Sequence, residues 1–113
     1  MSTKSTVAGK NTSFFEVGDY VIVRADEAGV LFGKYFDNDG STIYLSEARQ
    51  LWHWHAANGG TLVDVATLGV KQDECKFSTA TAGKTIVFSA CALIGVTDEA
   101  AKSIRETPAV EWR

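Results

Sequence analysis

Residues 29–45 read GVLFGKYFDNDGSTIYL, and the fold turns on this stretch. Gly29 to Phe36 and Ser41 to Leu45 are rich in aromatic and β-branched residues, and between them stands Asp37-Asn38-Asp39-Gly40. An Asp-Gly pair between two such runs is a strong short-range hairpin signal, because a tight two-residue turn needs positive φ where glycine costs nothing. The segment therefore predicts two antiparallel strands. Upstream, Gly18-Asp19 punctuates the chain before Tyr20-Val21-Ile22-Val23, a run with strand chemistry that adds a third strand beside the hairpin.

Downstream the signals turn helical. Ser46 is placed to cap a short helix over Glu47 to Trp54, and Thr61 with Asp64 three residues on resembles a capping box for Leu62 to Leu68, which Gly69 would close. Thr85 to Val96, TIVFSACALIGV, is an apolar run that predicts a buried central strand, or two with a bend near Ala90. Thr97 caps a last helix over Asp98 to Glu106, with acids at its start, Lys102 and Arg105 near its end, and Pro108 beyond it. The expected class is α+β and β-rich: a small antiparallel sheet, barrel-like or curled, with two or three short helices. Residues 1–13, polar apart from Met1, Val7 and Ala8, form an N-terminal arm that cannot order itself, and residues 14–113 form a single globular domain.

Composition narrows the function classes. The 113 residues carry a formal charge of -3, so the global phosphate attraction behind most nucleic-acid binding is missing. Lys34, Lys71, Lys76 and Lys84 are dispersed among acids, and nucleic acid is not an expected partner. No apolar run is long enough for a membrane span and the first residues lack a signal-peptide core, so the expected location is the host cytoplasm or a virion. Cys75 and Cys91 show no paired-cysteine motif and read as reduced thiols.

Three motifs invite chemistry. Gly83-Lys84-Thr85 ends like a phosphate-binding loop, but Ser78 stands where the first glycine belongs and a strand-like Ile86-Val87-Phe88 follows where a helix is required. Asp37-Asn38-Asp39-Gly40 resembles part of a calcium loop, yet aligning its glycine puts Tyr35 and Ser46 at the first and last ligand positions. Trp52-His53-Trp54-His55 is the most distinctive stretch. On a strand His53 and His55 would share a face and, with a cysteine, ligate a transition metal; on a helix they would diverge. With no third ligand at a recognisable spacing, no metal and no cofactor are expected. Trp52, Trp54 and Trp112 are candidate interface anchors, with His53 at their rim, and Arg49 beside the first two is a candidate for meeting a phosphate. No nucleophile elbow or carboxylate pair stands out, and the expectation is a protein that is not an enzyme.

Ala28-Gly29-Val30, Gly33, Ala48-Arg49, Trp52-His53-Trp54, Leu62, Gly69, Cys75-Lys76-Phe77, Thr97, Ala100 and Lys102-Ser103-Ile104 carry a resemblance to small proteins of tailed phages and prophages, a family catalogued as a domain of unknown function. It runs from about Tyr20 to Ile104. It implies a phage origin and transfers no catalytic residues. The resulting expectation is a homo-oligomeric protein acting by self-assembly or by contact with a phage or host protein. The alternative is a host-takeover protein that binds a small ligand or nucleotide through Arg49 with Trp52 or Trp54.

Overall fold

The computed structural model describes residues 14–80 and 83–110. The N-terminal arm and Trp112 lie outside the described residues. Six antiparallel strands, β1 (Tyr20–Ala25), β2 (Gly29–Asp39), β3 (Thr42–His53), β4 (Lys76–Phe77), β5 (Lys84–Val87) and β6 (Ala90–Gly95), form one sheet in the order β4-β3-β2-β1-β6, with β5 also on β3. Two helices, α1 (Leu62–Leu68) and α2 (Asp98–Glu106), and a 3-10 turn at Gln72–Glu74 complete the elements of the described residues.

The central hairpin forms as the sequence dictates, shifted by one residue. Asp39 pairs with Thr42, so Gly40 and Ser41 make the turn, with Gly40 at φ 60° in its first central position. That is the place a II′ turn gives to glycine.

The helix expected over Glu47 to Trp54 is not there: the segment continues β3. Two irregularities disguise it. Phe32 pairs with Arg49 but Lys34 with Ser46, so Glu47, at φ 53°, and Ala48 together oppose Gly33. Leu51 pairs with Phe77 but His53 with Lys76, which makes Trp52 an extra residue. A bulge of this kind adds one residue to one strand and reverses the alternation of faces beyond it.

Of the two forms expected for Thr85 to Val96, the pair of strands with a bend near Ala90 is the one found, as β5 and β6, but neither is central. Ser89, at φ 59°, turns the chain from the β3 edge to the β1 edge, and Ala90 N–H donates to Ser41 O at 2.9 Å as it crosses the hairpin. The sheet curls around this crossing without closing, so of the barrel-like and curled forms expected the open curled one is found.

Both faces of the sheet are buried. On one, Val21, Val23, Leu31, Tyr35, Ile43, Leu45, Ala48 and Val87 pack together under the β5–β6 crossing. On the other, Ile22, Phe32, Leu51 and Phe77 meet Val65 and Ala66 of α1 and Ala101 and Ile104 of α2. The other two predicted helices stand where their caps place them. Thr97 Oγ1 accepts from Ala100 N–H at 3.2 Å, and Asp64 Oδ2 accepts from Thr61 N–H at 2.8 Å.

The Thr61 main-chain bond and then its hydroxyl hold the Asp64 carboxyl below the usual carboxylate range. A depressed carboxylate stabilises the fold above its unfolded pKa and loses that contribution as pH falls through the lower folded value. Asp64→Asn is therefore expected to lower the urea midpoint at pH 7. The gap to the parent should narrow on acidification toward pH 3, as paired urea titrations would read.

Candidate interface surfaces

Arg49 leaves β3 on the helical face and is buried to 6% exposure. Its Nε donates to Ser78 O at 2.7 Å, and its Nη1 donates to Ile104 O and Thr107 O, both at 2.9 Å. The guanidinium lies 5.3 Å from the centre of the Phe77 ring, and burial lowers its pKa. The charge sits among the last carbonyls of α2, where cations are favoured by the helix dipole. Arg49 is thus a clamp between β3, the chain after β4 and the end of α2. It does not stand on a shared surface with Trp52, as the sequence reading had placed it.

The bulge at Trp52 sets the geometry of the next residues. Trp52 stands out from the sheet, 59% exposed, with Lys76 Nζ 5.5 Å from its ring centre. Trp54 turns inward against the cluster of Leu51, Val65 and Phe77. His53 and His55 both face outward, their ring centres 5.1 Å apart at an interplanar angle of 72°. Of the four, Trp52 and the two histidines form a surface while Trp54 belongs mainly to the core.

Cys75 and Cys91 are free thiols. Burial pushes the Cys75 thiol up, the His55 main-chain N–H pulls it partly back, and the nearby Glu74 and Asp73 charges add a lesser upward push. That keeps it protonated and unreactive at neutral pH. Among the described residues, no group of three or more His, Cys, Asp or Glu is placed to hold a metal ion. Nor is any helix among them long and apolar enough to cross a membrane.

A second surface was not singled out from the sequence. Phe36, Tyr44 and Ile86 line a concavity of about 460 Å³ with Leu45, Ser46, Lys84 and Thr85. Tyr44 pairs with Ile86 on one side and Asp37 on the other, and Phe36 is the extra residue of a second irregularity in the β2–β3 ladder. Phe36 and Ile86 are exposed. No local signal marks it: with a core on each face adjacent apolar residues can both be buried, and Phe36 is exposed as the extra residue of an irregularity that only the pairing with β3 reveals.

The fold and these surfaces define a small α+β domain, a curled antiparallel sheet carrying two helices on one face, exposed aromatic residues on β2 and β3 and the exposed Ile86 on β5. Residues 18–104 match a family described as a domain of unknown function, DUF6948, and the chain belongs to that family. No curated protein and no solved structure matches it.

Proposed function

We propose that the chain is a non-enzymatic, phage-encoded protein that works by contact with other protein chains, first of all with further copies of itself. The observation that carries this reading is the concavity of Phe36, Tyr44 and Ile86 beside β5. Among the described residues β5 pairs only with β3, so its outer edge presents main-chain donors and acceptors next to exposed apolar side chains. A strand edge of that kind is a template for adding another strand. Trp52, on the opposite end of β3, is a second anchor for a phage or host partner, acting in the host cytoplasm or within a virion. The alternative of a nucleotide-binding protein leaned on Arg49, whose Nε and Nη1 are engaged by main-chain carbonyls.

Native mass spectrometry of the tag-free chain over a range of concentrations is the test. Discrete oligomers are expected, and Ile86→Lys should weaken them by about thirtyfold, the effect of losing roughly 2 kcal/mol at an interface centre. Compared at a concentration where both are monomeric, its melting temperature should stay close to the parent's, since Ile86 is exposed. A monomer at every concentration, or oligomers indifferent to Ile86→Lys and Phe36→Ser, would sink the reading.

A further inference from the structure

His53 and His55 are turned outward by a specific device, the extra residue at Trp52. Without it, His53 would follow Leu51 into the helical core. The backbone that carries the pair is fixed on both sides. His53 is paired with Lys76 of β4, and His55 O accepts from Lys71 N–H at 3.0 Å. The side chains are exposed, so a ligand reaches them from solvent.

We infer that His53 and His55 form a two-imidazole site for a borderline divalent transition cation such as Zn²⁺ or Ni²⁺. The spacing fits that chemistry. With metal–nitrogen bonds near 2.0–2.1 Å, an imidazole centre lies about 3.2 Å from the ion, and two such rings at tetrahedral or right angles are about 4.5–5.2 Å apart. The observed separation is 5.1 Å.

Glu74 adds negative charge beside the pair: its Oε1 lies 3.9 Å from His55 Nδ1, an ion-pair distance beyond hydrogen-bond reach. Cys75 is not part of the set: its Sγ receives the His55 main-chain N–H at 3.5 Å and packs toward the core side. The pair is bidentate, and water fills the remaining coordination positions. The site lies at the opposite end of β3 from the Phe36 concavity and does not depend on self-association.

The test is calorimetric titration of the tag-free full chain with Ni²⁺ and with Zn²⁺, read alongside the imidazole resonances by NMR. Saturable binding is expected, with both histidine side chains shifting together. His53→Ala and His55→Ala should each weaken it at least about tenfold, and Cys75→Ser should leave it unchanged. Absence of saturable binding, binding that survives both histidine substitutions, or binding lost in Cys75→Ser would overturn the assignment.

Discussion

Arg49→Ala is expected to cost about 4 kcal/mol of folding free energy, a large share of the roughly 5–15 kcal/mol that a domain has in hand. The charged donors reach Ser78 O, Ile104 O and Thr107 O, and truncation leaves these carbonyls without their partner inside the fold. Ile104 O keeps a weak bond from Thr107 N–H at 3.3 Å, so the burden falls on Ser78 O and Thr107 O. Each hydrogen bond to a charged group contributes roughly 1.5–3 kcal/mol, and the Phe77 ring loses the plane that covers it. Arg49→Lys should recover only part of the loss, because one ammonium cannot reproduce a planar fork that reaches two directions at once. Urea unfolding followed by tryptophan fluorescence measures both variants. A loss under about 1 kcal/mol in Arg49→Ala would show that the clamp is dispensable and would return Arg49 to the list of ligand-binding candidates.

The contrast between the helices and β3 explains what was legible. Thr61, Asp64 and Thr97 act on residues three positions away, and such signals survive whatever packs around them. The central hairpin likewise depends on Gly40 and its neighbours. β3 is decided by distant chain. From Leu45 onward its inward residues are Leu45 and Ala48 on one face, then Arg49, Leu51 and, just past its end, Trp54 on the other, so that 45, 48, 51 and 54 recur every three positions. A helix produces that same spacing, so a twice-bulged strand and a short amphipathic helix share one pattern. What separates them is the ladder to Gly33, Lys34 and Phe77, none of it local. The surfaces inherit the ambiguity. The histidine pair and the exposed Trp52 were visible as residue types, but their orientation follows from a bulge, and Arg49's engagement follows from carbonyls up to 58 positions away.

Gly33→Val is expected to lose about 3 kcal/mol, and Gly33→Ala roughly half of that. Gly33 lies mid-strand in β2, between Val21 of β1 and the bulged pair Glu47 and Ala48 of β3. A Cβ built there would meet Ala48 Cα at 3.0 Å, Ala48 Cβ at 3.1 Å and Ser46 O at 3.1 Å. Two of these are backbone atoms of a strand paired on both sides, so relief requires moving the ladder rather than turning a side chain. The bulge itself brings Ala48 this close, and the bulge is what transfers β3 from the Leu45 face to the Leu51 face. Pushing it away should disturb both cores at once, through Ala48 on one side and Arg49 on the other. Gly83→Ala is the matched control: a Cβ there meets nothing within 4 Å, and the change should stay within about 0.5 kcal/mol. Equilibrium unfolding of the three variants separates a steric requirement at Gly33 from a general dislike of side chains at glycine positions. Equal stability of Gly33→Val and Gly83→Ala would mean that β3 can shift its bulge freely, and with it that the outward pairing of His53 and His55 is not fixed by this ladder.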